Sequence, residues 1–235
     1  MFGCQRSCLS KADDAGARRV KLCYDKRTYG TQSLQFPKTK ALQRGGALVV
    51  FNDAEFSDED FKAIQNVGDS EKKGTWGKTG RFGVGFRAVY HITDVPSLVS
   101  GSRIVFFDPH CKFVQPGLPG KGVSFAGGTS SQVPSIDKYS DQYRPYEMFG
   151  CDMRTHFTGT LLRLPLRSEQ QAAADSQKLS TKPYTADKMK ALFDDFQDVA
   201  AETLLFLQNV EQIELLIWEP DAREPTTLFS AGLKE

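Results

Sequence analysis

Histidine is scarce in this chain, with three residues in 235, and the five cysteines, Cys4, Cys8, Cys23, Cys111 and Cys151, form no Cys-x-x-Cys pair. Structural zinc takes four such ligands at short spacings, so no metal site is expected, and cysteines scattered in this way suit a reducing compartment better than a disulfide framework. Cys4 and Cys8 share a helical face by their i, i+4 spacing and read as two small half-buried thiols. No apolar run approaches the ~18 residues of a membrane span. The first ten residues, MFGCQRSCLS, lack the apolar stretch of a signal peptide. The expected compartment is the cytosol, with no membrane partner. Excess charge is missing too: 30 Lys and Arg against 29 Asp and Glu leave a net charge of +1. That gives no bulk attraction for nucleic acid and leaves only a local basic patch such as Lys72, Lys73, Lys78 and Arg81. Internal repeats and low-complexity blocks are absent. What is present is ordinary for a globular chain, 40% hydrophobic and 25% charged residues, in a length that can bury a full core as one domain over residues 1–235.

Apolar patterning sets out the elements. Residues 8–17 read as a helix end or turn, and Val20, Leu22 and Tyr24 alternate with charged neighbours in a half-buried strand over 18–25. Ala47 to Phe51 is a short apolar strand stopped by Asn52-Asp53, which sets a carboxylate at its carboxyl end. Ser57 fits as N-cap of a helix over 58–66, with Asp58, Glu59 and Asp60 in the first turn and Phe61 and Ile64 facing inward. A second helix opens in GFRAVYHI and runs to about His91. SLVSGSRIVFF predicts a hairpin turning at Gly101-Ser102, and 108–146 is loop-rich. A strand over 158–166 ends at Pro165 or lies at an edge there. An exposed connection, 167–184, leads to a helix capped by Thr185 that runs to about Asn209. Met189, Leu192, Phe193, Phe196, Val199, Ala200 and Leu204 keep its inner face at the 3.6 period. EQIELLIWE is a final strand, and 220–235 reads as an exit tail.

Four glycines, Gly77, Gly80, Gly83 and Gly85, stand in the stretch GKTGRFGVGF ahead of the second helix. A backbone free of Cβ atoms that meets the unpaired N–H donors of a helix start suits a phosphate. A P-loop would need a glycine where Lys72 stands and a buried strand directly ahead, and a dinucleotide fingerprint would need a third glycine after Gly83-x-Gly85. Both are missing. The polar stretch from Asn66 to Gly80 is where a mobile lid is expected.

Taken with ADDAG near the start, Asp53 at a strand end, Asn66-Val67-Gly68 one helix later and Gly159-Thr160 in a strand, RFGVGF resembles the Bergerat nucleotide-binding fold of the GHKL superfamily. FNDAEFSDEDFKAIQNVGDSEKK, GRFGVGFRAVYHITDVPSLVSG and FGCDMRTHFTGTLLRLPLR are similar to the sacsin-type (sacsin/Nov) domain within it. That domain is itself similar to the N-terminal ATP-binding domain of the ninety-kilodalton heat-shock chaperones, and the likeness spans nearly the whole chain. It implies an α+β fold, a two-layer sandwich in which a mixed β-sheet is covered on one face by helices, with the nucleotide between them. It also implies ATP or ADP with Mg2+ as ligand, and unfolded-protein clients or chaperone partners. Carried over by residue, Asp53 would accept a hydrogen bond from the adenine amine. Thr160 would share water-mediated contacts with the base, Asn66 would lie near the sugar and phosphates, and Asp14 would lie close to the nucleotide. The backbone N–H groups around Gly80, Phe82, Gly83, Val84, Gly85 and Phe86 would hold the phosphates.

The pattern breaks at the family's first motif, Glu-x-x-x-Asn-Ala-x-Asp-Ala. Ala12, Asp14 and Ala15 match, but Ser7 stands at the general base and Lys11 at the magnesium ligand. A serine at its ordinary pKa is no useful base, and an ammonium group repels the cation. No catalytic residue is assigned, and binding without hydrolysis is expected. The glycines that usually follow the aspartate are absent after Asp53, and residues 1–10 read as an atypical start to a domain truncated ahead of them. The alternatives are a nucleotide-free protein-interaction domain of the same fold or another GHKL-class ATPase or kinase.

Overall fold

The strand read over 18–25 is one of several that join a single sheet. The computed structural model describes residues 3–69, 87–114, 120–125, 136–173 and 180–233. Its eight strands are β1 (Arg19–Asp25), β2 (Ala47–Asn52), β3 (Ser97–Gly101), β4 (Arg103–Phe107), β5 (Gly120–Ser124), β6 (Phe157–Pro165), β7 (Gln212–Trp218) and β8 (Thr226–Gly232). They form a mixed sheet in the order β5-β4-β3-β6-β2-β1-β7-β8, parallel between β1 and β7 and antiparallel at every other junction. The fold is of the α+β class. Among the described residues the α-helices are α1 (Gly3–Asp14), α2 (Asp58–Asp69), α3 (Ser140–Tyr143), α4 (Glu169–Ala173) and α5 (Ala186–Leu204).

Period-2 geometry sends alternate residues to opposite faces, and here both faces are buried. Leu48 and Val50 of β2, Leu162 and Leu164 of β6 and Ile213 and Leu215 of β7 join Leu9, Phe61, Ile64, Met189, Phe193 and Phe196 of α1, α2 and α5 in one apolar cluster. Their neighbours Val49, Phe51, Leu161 and Leu216 enter a second cluster with Phe36, Tyr143, Tyr146 and Met153. The expectation of helices on one face is met by α1, α2 and α5. The two-layer reading needs correcting, because the opposite face lies under residues 36–42 and 136–153, where a 3-10 helix at Pro37–Gln43 and the single turn of α3 are too short to show an apolar period. The loop-rich stretch likewise contains β5, α3 and a 3-10 turn at Arg144–Tyr146.

Local chemistry explains the element ends. At α2, Ser57 Oγ accepts from Asp60 N–H at 3.2 Å while the Asp60 carboxylate accepts from Ser57 N–H at 3.0 Å, a capping box. Thr185 caps α5 through Lys188 N–H. The α5 helix stops at Leu204, five residues short of the expected Asn209, because the N–H groups of Gln208, Asn209 and Val210 bond to the carboxylate of Asp13. The helix expected to open in GFRAVYHI is a 3-10 turn over Arg87–His91, and its first residues, Gly85 and Phe86, lie outside the described residues. Two expectations at the chain ends change. Residues 3–10 belong to the helix α1, and part of the exit tail is β8, paired antiparallel with β7. Its exposed, weakly alternating TTLFSAG gives little signal of burial. Cys23 and Cys151 are buried, and burial pushes the Cys151 thiol up to about 11.

ADDAG, read as part of a nucleotide motif, is first of all a helix end. Ala17 N–H reaches Ala12 O and Gly16 N–H reaches Asp13 O, both at 2.9 Å, a Schellman closure with Gly16 at φ +78°. A Cβ at Gly16 would meet no atom within 4 Å, so only backbone strain opposes it. Gly16→Ala should therefore cost about 1 kcal/mol and lower the melting temperature by ~2–4 °C in a thermal scan.

Candidate functional site

On the helix-bearing face, three strands lay residues in rows. Val50 of β2 and Leu98 of β3 both pair with Leu162 of β6, and one step on, Asn52 and Ser100 both pair with Thr160. The first row is apolar and the second polar. The alternation that sends Leu48 and Val50 toward the helices also sends Asn52 there.

Most of the polar row holds the segment that follows β2. Ser100 Oγ donates to Gly159 O at 2.7 Å and accepts from Phe56 N–H at 2.9 Å. Thr160 Oγ1 donates to Ala54 O at 2.8 Å, with Ser100 Oγ at 3.1 Å as the other acceptor for its one proton. Asn52 Oδ1 accepts from Ala54 N–H at 3.0 Å. The chain is thus bent so that Ala54, Glu55 and Phe56 form a wall above the sheet.

Over these rows lies a cavity of about 220 Å³ between α1, α2 and the sheet. Val50, Leu98 and Leu162 floor it, Ala12 of α1, Ala15 just after it and Ile64 of α2 wall it, and Val89 of the 3-10 turn closes another side. Asn52 and Thr160 are polar members of its lining, and Lys11, Asp14, Glu55 and Asp60 are ionisable ones. Lys11 Nζ lies 3.9 Å from Asp14 Oδ2, and Glu55 is held by His156 Nε2 at 2.9 Å. Three carboxylates against one ammonium make the described lining acidic. No group of three His, Cys, Asp or Glu that could hold a metal occurs among the described residues.

Two buried ionic devices fix the cavity walls. Asp13, 9% exposed, accepts from the N–H groups of Gln208, Asn209 and Val210 at 2.6–3.0 Å, and Asn209 Nδ2 donates to Asp13 O. Burial pushes the Asp13 carboxyl up, but the three backbone donors outweigh it and hold the group below the ordinary carboxylate range. Behind the 3-10 turn, Arg167 is buried against Asp94 and the carbonyls of Tyr90, His91, Thr93 and Lys182. The segment 167–184, expected to be an exposed connection, is anchored at its start.

Of the residues singled out by the sequence, Asp14 and Thr160 line the cavity. Asp53 is turned to the start of β1. Its Oδ1 accepts from the N–H groups of Arg18 and Arg19 at 2.8 and 2.9 Å, and its Oδ2 accepts from Arg19 Nε at 3.0 Å. Burial raises the Asp53 carboxyl, and these bonds lower it further, to below the usual range. Gly80, Phe82, Gly83, Val84, Gly85 and Phe86, with most of the expected lid, lie outside the described residues. Ser7 and Asn66 fall within α1 and α2, and their side chains lie outside the described part of the structure. Sequence reasoning missed Asn52, Glu55 and Asp60. Strand parity alone could have found Asn52, two residues on from the inward Val50.

Residues 6–230 match the family model described as Sacsin domain. Sacsin of Homo sapiens is 38% identical over 221 residues, which is 92% of this chain and 5% of that protein. Protein NO VEIN of Arabidopsis thaliana is 37% identical over 70 residues, 30% of this chain and 3% of that protein. The chain therefore spans a small fraction of the length of the curated relatives it matches. Among solved structures, the N-terminal domain of a DNA repair protein aligns over 97% of this chain and 51% of that one, with a TM-score of 0.38 at 9% identity, a likeness too loose to argue from.

Proposed function

The chain belongs to the Sacsin-domain family, and from that premise we propose that it is a nucleotide-binding module of the Bergerat type, taking ATP or ADP in the cavity between α1, α2 and the sheet. The observation that carries this reading is the pairing of an apolar slot, Val50, Leu98 and Leu162, with a polar row ending in Asn52 at the carboxyl end of β2. A flat heteroaromatic base needs such a setting: apolar faces and a few placed polar groups at its edge. At about 220 Å³ the cavity is below the ~300–1,000 Å³ that encloses a whole drug-sized ligand. The base and part of the sugar would fill it, and the phosphates would extend past Lys11. The chain from α2 to the 3-10 turn joins two elements of the wall and carries the Gly80–Phe86 sequence, whose backbone donors would meet those phosphates.

Mg2+ fits the described residues poorly. Lys11 brings an ammonium to the position where the family pattern has a metal ligand, and no triad of acidic or imidazole groups converges near it. No hydrolytic step is derived, and the module is proposed to bind nucleotide and to relay occupancy to clients or chaperone partners in the cytosol. Among the described residues no helix is long and apolar enough to cross a membrane. A second reading, a nucleotide-free interaction domain, draws support from the acidic lining, since Asp14, Glu55 and Asp60 would repel a polyphosphate.

Calorimetric titration separates the two. ATP and ADP should each bind the wild-type chain once and saturably, with or without Mg2+, and should raise its unfolding free energy by about 2.7 kcal/mol at a hundredfold excess over Kd. No saturable binding would leave the interaction domain as the better account.

A further inference from the structure

We propose that Asn52, rather than Asp53, reads the edge of the base in this cavity, an inference that rests on the adenine-nucleotide reading above. The carboxylate of Asp53 already serves three donors at the start of β1. Turning it toward the cavity would strand the N–H groups of Arg18 and Arg19, with nothing in the described lining to replace it. Asn52 faces the other way. It lines the cavity, sits opposite Thr160 in the β2–β6 register and shares the inward parity of Leu48 and Val50.

The amide of Asn52 has capacity left over. A carboxamide oxygen has two lone pairs and its NH2 group two donors. Ala54 N–H takes one lone pair at 3.0 Å, and among the described residues no acceptor is found for Nδ2. One acceptor position and both donors therefore remain, in the plane of the amide. Adenine offers the complement, an exocyclic N–H donor beside a ring-nitrogen acceptor, and an asparagine amide can meet both at once.

The orientation of the amide is set by its surroundings. Flipping it would point NH2 at Ala54 N–H, donor against donor, so the bond to Ala54 decides which end is oxygen. Ala54 is itself fixed, because Thr160 Oγ1 donates to its carbonyl at 2.8 Å. Thr160 thus acts on the ligand through Ala54 and Asn52, as a positioning residue. The slot formed by Val50, Leu98 and Leu162 supplies the apolar surface a base would need. An aspartate at 52 would keep the shape and the acceptor for Ala54 N–H, lose the donor and add a negative charge, so the deaza analogues, which add none, isolate the edge contact.

The test is an equilibrium titration of the full chain with ADP and with 1-deaza- and 7-deaza-ADP, which lack one ring-nitrogen acceptor each. Asn52→Asp should bind ADP about tenfold or more weaker than wild type. One of the two deaza analogues should show a similar loss on the wild-type chain and little further loss on Asn52→Asp. Asp53→Asn, if folded by circular dichroism at the titration temperature, should stay within about twofold of wild type for ADP. The deaza comparison needs no variant and so survives any folding failure. Wild-type binding with Asn52→Asp unchanged, with both deaza analogues bound like ADP, or with Asp53→Asn folded but unable to bind, would overturn the role of Asn52 alone. Absence of any ADP binding to the wild type would overturn the nucleotide reading and this inference with it.

Discussion

Replacing Arg167 with leucine should lower the free energy of unfolding by about 3–5 kcal/mol, read as a fall in the denaturant midpoint. A guanidinium has five N–H donors, and here each has an acceptor. Nε bonds Asp94 Oδ1 at 2.8 Å, Nη1 bonds the carbonyls of His91 and Lys182, and Nη2 bonds those of Tyr90 and Thr93. The side chain is fully shielded from solvent, and Asp94 is 12% exposed. Leucine would leave a nearly buried carboxylate without its cation and four carbonyls without donors, and apolar packing cannot offset that. Arg167→Lys keeps the charge but brings three donors to five places, so it should recover only part of the loss. Three of the four carbonyls come from the turn that follows Val89 in the cavity wall, so ligand affinity should fall along with stability. A loss below about 1 kcal/mol for the leucine variant would mean that water satisfies this cluster in place of Arg167.

Much of the frame was open to sequence reading because burial follows a period. The strands at 18–25, 47–51, 97–107, 158–166 and 212–218, the Ser57 and Thr185 caps and the Gly101-Ser102 turn all stand where alternation or capping chemistry put them. The second layer was hidden because residues 36–42 and 136–153 bury apolar side chains from 3-10 turns, one turn of α-helix and loop, each too short to show a period. β8 was hidden for the opposite reason, since an exposed edge strand without strong alternation looks like a tail. Arg167 was hidden because a lone arginine in a polar stretch reads as exposed unless its acceptors, up to 77 positions away in sequence, are known.

The site was legible by neighbourhood rather than by atom. ADDAG, the end of β2 and Gly159-Thr160 do converge on one cavity. Of two pairs of adjacent polar residues, Asp13-Asp14 was read on the member that lines the cavity and Asn52-Asp53 on the member that faces β1. The carboxylate Asp53 drew the ligand role on chemical grounds, while strand geometry gives the inward place to Asn52. In Asp13-Asp14 the exposed member lines the cavity and the buried member holds the fold. One residue of register separates a binding group from a structural one, and residue type alone does not decide between them.

Asp13 carries the second large prediction. Asp13→Ala should cost about 3 kcal/mol, a fall in melting temperature of ~6–12 °C for a chain of this size, because the N–H groups of Gln208, Asn209 and Val210 would lose their shared acceptor. The effect has a pH signature with a definite sign. The carboxyl is held below its ordinary value in the folded chain, whereas in the unfolded chain it titrates near about 3.9. The unfolded state therefore binds the proton more readily, and the stabilisation is complete above that value and lost as pH falls through the folded one. Wild type and Asp13→Asn should differ by a constant amount at neutral pH and approach each other as the solution is acidified past about 3.9, while a gap unchanged down to the acid transition would show that the acceptor geometry and not the charge sets the stability. The same bonds tie the last turn of α1 to the chain entering β7. That turn brings Lys11, Ala12, Asp14 and Ala15 to the cavity, so Asp13→Ala should weaken ligand binding even at temperatures where the fold persists, without altering any residue of the lining.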